Sequence, residues 1–291
     1  MQSNIIRSSG FSSFLHQPVL RRRMKTINAF INSYIERALR LSPEELATKT
    51  KSDAGYNFLH ALASFTRDRT VLRDQILAVL LAGRDTTAAT LSFAIYELAR
   101  HPEVVAKMRR EILETVGADG EPTYRNLKDM SYLKAVVNET LRMYPAVPYN
   151  TRVALRDTTL PVGGGPDGKQ PVGILAGTVM GWSTYIMQRR RDIYPPVSET
   201  FADPNVFSPE RWEHWHPRGH EYIPFNAGPR ICVGQQFALT EMAYVLCRMF
   251  QRYARVEARM GGEFAQKPVL RTDLTVKPAS PIMVAFFESE K

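Results

Sequence analysis

The chain has 291 residues, 44% hydrophobic and 23% charged, with a formal net charge of +9. These are ordinary values for a soluble globular protein, and the length is enough to bury a sizeable core. Two cysteines, Cys232 and Cys247, exclude a disulfide framework and fit a reducing compartment, and no run of 18 apolar residues encodes a membrane anchor.

The charge is uneven. No acidic residue precedes Glu36, whereas Arg7, Arg21, Arg22, Arg23 and Lys25 all fall before it. A transit peptide, a nucleic-acid arm and a solvated lead-in to a helix compete for residues 1–23. A nucleic-acid arm is usually denser in Lys and Arg, so the solvated lead-in is favoured and no nucleic-acid partner is expected. Residues 24–41 then carry Ile27, Phe30, Ile31, Tyr34, Ile35 and Leu39 at helical spacing. Residues 42–54 read as a polar loop, and 57–65 as a short helix.

A long helix follows over about 68–100, stopped by His101-Pro102, because the residue before proline is pushed out of the helical region. At 1.5 Å per residue it spans roughly 48 Å, long enough to cross a whole domain. Residues 76–82, ILAVLLA, predict burial on most sides. Residues 82–89, AGRDTTAA, set weak helix formers and a charge pair in its middle, a kinkable polar patch of the kind that marks a site. Pro102 opens another helix that ends at Gly117. Residues 131–144 form the next, with Glu139 and Arg142 on one face. Short β-prone pieces at 152–155, 171–175 and 178–182, punctuated by GGGPDG, predict a small antiparallel sheet. Residues 194–222 show no periodicity and need a reason to be ordered. A strongly apolar helix is predicted over 236–253, and short strands over 274–276 and 282–286. The fold class is therefore mainly α with small antiparallel sheets.

The stretch FNAGPRICVGQQFA, residues 225–238, organises the chemistry. Cysteine is most often a small buried hydrophobe, and Cys247 fits that inside its apolar helix. Cys232 follows Gly228-Pro229-Arg230 and precedes Gly234 and a helix start. Free backbone N–H groups and the positive helix end stabilise a thiolate. Glycines let a backbone approach a planar ligand closely and take conformations closed to other residues. A thiolate is the strong electron donor that favours O–O cleavage at a haem iron.

Phe225, Gly228, Arg230, Cys232 and Gly234 together match F-x-x-G-x-R-x-C-x-G, which resembles the haem-binding signature of the cytochrome P-450 superfamily. Three further stretches resemble that family's motifs in the same order. They are AGRDTT at 82–87, the Glu139–Arg142 pair, and Phe207, Pro209, Glu210 and Arg211. The resemblance implies that Cys232 is the axial ligand of the iron of haem b (iron protoporphyrin IX). Phe225 would pack on the thiolate side, with Gly234 beside it. Arg230 and Arg152 would pair with the two propionates, for which arginine is a bidentate donor. Asp85 and Thr86 would serve dioxygen and relay protons. Glu139, Arg142 and Arg211 would form a buried structural network. The implied activity is monooxygenation of a C–H bond in a small hydrophobic substrate, with electrons from NADPH through a separate reductase docking near the basic cysteine side. The implied location is the endoplasmic reticulum membrane. Residues 147–168 resemble fungal alkane- and fatty-acid-hydroxylating members.

Two other motifs are rejected. GGGPDGK, residues 163–169, satisfies G-x-x-x-x-G-K but is followed by Gln170, and Pro166 and Pro171 prevent the strand–loop–helix context of a phosphate loop. His214, His216 and His220 lack any cysteine pair and read as polar surface, not zinc. The resemblance covers about the C-terminal three-fifths of the family's usual length. Residues 24–291 read as an incomplete haem domain, with the distal helix at about 68–100 and the thiolate loop at 225–234. The alternative is a truncated, inactive product that binds haem weakly or not at all.

Overall fold

The structure, a computed structural model, describes residues 18–48, 55–262 and 267–289. The basic stretch 1–17 lies outside the described residues. Of the segment that follows it, Arg22, Arg23 and Lys25 are described, and Arg22, Arg23 and Lys25 belong to the first helix. The chain divides into two compact units, residues 1–84 and 85–291.

The first unit holds α1 (Pro18–Leu39), α2 (Pro43–Thr48), α3 (Phe58–Phe65) and the start of α4 (Arg69–Leu98). Its core is Ile31, Ile35, Ala38, Leu46, Leu59, Ala63 and Leu72, with Ile76 and Leu77 packed at its edge. α1 begins six residues before the expected start at Met24. The expected loop 42–54 contains α2, whose start is a reciprocal cap. The Glu45 N–H donates to Ser42 Oγ at 3.1 Å and the Ser42 N–H to Glu45 Oε2 at 2.6 Å. Asn57 caps α3 through the N–H groups of Leu59 and His60.

The expected burial of residues 76–82 is overturned. Val79, Leu80 and Leu81 are 41%, 48% and 52% exposed. Apolar composition predicts burial only where a partner surface exists, and the described core of the first unit reaches no further along α4 than Leu77. The helix is also unbroken through the polar patch, with no interruption at Gly83. By length and composition α4 qualifies as a membrane span. A search for an uninterrupted apolar run misses it because Arg84 and Asp85 lie within it.

The second unit starts with the rest of α4 and continues through α5 (Pro102–Val116), α6 (Tyr124–Asp129) and α7 (Ser131–Met143). α6 is not expected from periodicity; Thr123 and Asn126 cap it reciprocally. Among the described residues four two-stranded antiparallel ladders follow, and the pieces expected to form one small sheet fall into the first two: β1 (Tyr149–Val153) with β4 (Val179–Ser183), β2 (Thr158–Gly164) with β3 (Gln170–Ile174), β5 (Tyr253–Ala258) with β8 (Val284–Glu288), and β6 (Leu270–Thr272) with β7 (Val276–Pro278). The glycine-rich turn joins β2 to β3 and leads into no helix, so the phosphate-loop context is absent. Short helices α8 (Thr184–Met187) and α9 (Arg211–His214) precede α10 (Gln235–Arg252).

The core of the second unit is a helical layer. α4 supplies Phe93 and Leu98, α5 Met108 and Ile112, α7 Leu133, Val136 and Leu141, and α10 Leu246, Cys247 and Phe250. Phe93 stacks on Tyr144 with ring centroids 4.3 Å apart. Gln251 donates to the carbonyls of Gly117 and Gly120 at 2.7 and 2.9 Å, which ties the end of α10 to the turn after α5. Leu246→Ala should therefore cost about 2–5 kcal/mol in urea unfolding. Leu155→Ala, at a side chain 96% exposed, should stay within about 0.5 kcal/mol of the parent.

Candidate functional site

The most constrained polar group is the carboxylate of Glu139 on α7. Glu139 and Arg142 are fully buried and Arg211 nearly so. Arg142 donates bidentately, Nη2 to Oε1 and Nε to Oε2, both at 2.8 Å. Arg211 Nε and the Ser208 N–H donate to Oε1 at 3.4 and 3.0 Å, and Trp212 Nε1 to Oε2 at 3.2 Å. Glu139, Arg142 and Arg211 are thus brought together as the sequence suggests. Burial alone would lower the Arg142 pKa, but the charge and hydrogen bonds of Glu139, together with the contribution of Tyr194, outweigh it and hold the guanidinium above its ordinary value. For Arg211 burial wins over the Glu139 charge and the pKa falls.

The remaining donors order the aperiodic segment. Arg142 Nη1 donates to Pro204 O at 2.7 Å and Nη2 to Val206 O at 3.3 Å. Arg211 donates to the carbonyls of Ala202, Asp203 and Val206 at 2.8, 3.0 and 3.1 Å. Residues 202–206 have few backbone partners of their own and borrow these. Tyr194, Phe201 and Trp215 make a small apolar cluster beside them. His214, His216 and His220 form no metal-binding group among the described residues.

Gln188, fully buried, links this network to the cysteine turn. Its Nε2 donates to the carbonyls of Leu141 and Arg142, and its Oε1 accepts the Ile223 N–H at 3.0 Å. Tyr222 donates to Asn138 O at 3.2 Å. Two residues after Ile223 the turn begins. Phe225 is half-buried against the main core, and its carbonyl accepts the Cys232 N–H at 2.9 Å. Gly228 has φ +69°, a left-handed step that favours glycine. Gly234 does not share that reason: its φ is −90°. A Cβ built there would sit 4.0 Å from Cys232 Sγ, so what Gly234 provides is open space beside the sulfur.

Cys232 is exposed and Cys247 is buried. Burial pushes the Cys247 thiol up, against the opposing charge of Arg248, as fits an inert packing residue. Around Cys232 the side chains of Ile231, Val233 and Phe237 are exposed and apolar. Arg230, in the short 3-10 turn Gly228–Arg230, and Arg152, on β1, make no ion pair among the described residues. Arg152 lies 5.1 Å above the ring of Trp182, whose Nε1 is buried without a partner among the described residues. A soft exposed thiol, exposed apolar side chains, two available guanidinium groups and an orphaned N–H donor are what a flat apolar ligand with acidic arms requires. These residues fit a haem.

Asp85 and Thr86 stand on α4 in the same unit as the turn, Asp85 exposed and Thr86 half-buried. The Thr86 carbonyl accepts from Thr90 Oγ1 at 3.0 Å. Thr87, their neighbour, is buried with its hydroxyl unpartnered among the described residues. Sequence reasoning misses Trp212, Gln188 and Trp182. Only Trp212, adjacent to Arg211, carries a positional hint.

The Cytochrome P450 family model matches residues 8–286. The chain is 58% identical over its whole length to cytochrome P450 monooxygenase pvhE of Talaromyces variabilis, covering 54% of that protein. It is 47% identical over 81% of its length to cytochrome P450 52A13 of Debaryomyces hansenii, covering 45% of it. It is 46% identical over 88% of its length to cytochrome P450 52A1 of Candida tropicalis, covering 46% of it. The chain thus spans about half the length of the curated relatives it matches. For the buried network, Glu139→Gln should cost about 3–5 kcal/mol, because it leaves two guanidinium groups buried without a countercharge. Urea unfolding measures the loss, and amide exchange should show Ser208 among the first amides to lose protection.

Proposed function

This chain belongs to the cytochrome P450 family, and on that premise we propose that residues 24–291 form a haem domain in which Cys232 is the axial thiolate ligand. The observation that carries this is the contrast between the two cysteines: Cys247 is sealed in the core, while Cys232 is exposed in a turn anchored by its own N–H to Phe225 O. The chemistry haem supplies when bound is activation of dioxygen, with electrons from NADPH through a reductase.

The chain's own residues would do the rest. Arg230 and Arg152 bind the propionates and orient the ring; each offers a planar guanidinium with no competing ion pair among the described residues. The Trp182 Nε1–H adds a donor beside Arg152. Phe225, half-buried against the core, would pack on the thiolate side. Exposed Asp85 would take protons from solvent, and Thr86 Oγ1 would relay them to dioxygen. Glu139, Arg142 and Arg211 take no part in proton transfer; they hold the segment that leads to the turn. The substrate class, a fatty-acid or alkane chain, rests on the resemblance of residues 147–168. The reductase docks on the basic cysteine side, at the endoplasmic reticulum membrane, as the resemblance to the family as a whole implies.

A second reading has one observation in its favour. Exposure of Val79, Leu80 and Leu81 on α4 suits a chain that binds haem weakly or not at all and turns nothing over. One experiment separates the two. The haem-reconstituted chain, reduced under carbon monoxide, should show the red-shifted Soret band of a thiolate-ligated carbonyl, and Cys232→Ser should abolish it. A folded parent chain without that band supports the second reading, and survival of the band in Cys232→Ser refutes the ligand assignment. Thr86→Ala, assayed with a reductase and a medium-chain fatty acid, should release more peroxide per NADPH consumed; an unchanged ratio counts against the proton role.

A further inference from the structure

Asn226 is the only non-glycine among the described residues whose φ lies in the left-handed region, at 61°. It follows Phe225 directly and so makes the step by which the chain enters the cysteine turn. Asparagine tolerates that conformation better than most residues, yet glycine adopts it at no steric cost. The side chain does what glycine cannot. Its Nδ2 donates to Asn150 Oδ1 at 3.2 Å, joining residues 76 positions apart. Its own Oδ1 is buried without a partner among the described residues.

Asn150 lies on β1, two residues before Arg152, so both side chains share one face of the ladder. Trp182 is directly opposite Asn150 on β4, hence on that face too, and Arg152 lies over its ring. A single hydrogen bond therefore connects the turn that presents Cys232 to the strand face that presents Arg152.

We propose that Asn226 and Asn150 are a positioning pair, whose hydrogen bond sets the Cys232 turn in register with the Arg152 face of β1. This rests on the reading of Cys232 and Arg152 as groups that hold the cofactor. Both asparagines act through those residues. The sulfur and the guanidinium approach one rigid ring from different elements, so their relative placement has to be fixed before the ring arrives if binding is not to bear the ordering cost.

Asn226→Gly keeps the left-handed step and deletes the tether, and Asn150→Ala deletes it from the other side. Amide exchange on the full chain without haem reads the Cys232 N–H. Each variant should lose roughly three- to tenfold in protection, the range one neutral hydrogen bond supports. The double variant should lose no more than either single, because both remove the same contact. Haemin titration of the same variants should show weaker binding by a similar factor, again without additivity. Unchanged protection in Asn226→Gly, or losses that add in the double variant, would overturn the pairing. The haem-free arm does not depend on the ligand assignment, which Cys232→Ser tests separately in the haemin arm; failure of one reading is therefore distinguishable from failure of the other.

Discussion

The fold of the second unit depends on making one buried carboxylate tolerable. Glu139 has no access to water, and an isolated charge there would be strongly unfavourable. It is accommodated because both oxygens are filled by charged or rigid donors from two places: Arg142 on its own helix, and Ser208, Arg211 and Trp212 from a distant segment. The arginines in turn have donors left over. Those go to main-chain carbonyls between Gln188 and Val206 that no ladder or helix satisfies. A long irregular segment is thereby ordered by side chains in place of secondary structure. Through Gln188 and Ile223 the same constraint reaches the residue two positions before the cysteine turn.

The turn itself obeys a different logic. Its backbone is fixed by the Cys232 N–H, by the left-handed steps at Asn226 and Gly228, and by the start of α10 after Gly234. Beyond Phe225 and Asn226, residues 227–233 are exposed, so that thiol, arginine and apolar groups face solvent together. A rigid turn with exposed soft and apolar groups is costly to keep unless a ligand covers it. Cys247 shows the contrast within one molecule, since the same side chain in α10 is a packing unit whose thiol burial makes less acidic.

Much of this is legible in the sequence. The Cys232 turn, the Glu139–Arg142 pair and Arg211 are short motifs whose spacing survives folding intact, and the helix start at Pro102 follows a local rule. The small helices α2 and α6 escape a reading by periodicity although Ser42–Glu45 and Thr123–Asn126 carry capping signals, because their polar composition outweighs the caps. Burial of residues 76–82 is an expectation that fails for a different reason: composition reports how apolar a segment is, whereas exposure depends on which other surfaces are present. A glycine at 234 suggests a special backbone conformation, but its value is space next to Sγ. The Asn226–Asn150 contact is beyond reach, since nothing in either residue's neighbourhood in sequence points to the other.

The role proposed for Cys232 is to bind iron through its sulfur. X-ray absorption at the iron edge of the haem-reconstituted full chain tests it most directly. A sulfur scatterer is expected in the first coordination sphere, disappearing in Cys232→Ser and persisting in Cys247→Ser. An iron coordinated only by nitrogen and oxygen in the folded parent chain, or a sulfur signal lost in Cys247→Ser and kept in Cys232→Ser, would contradict it.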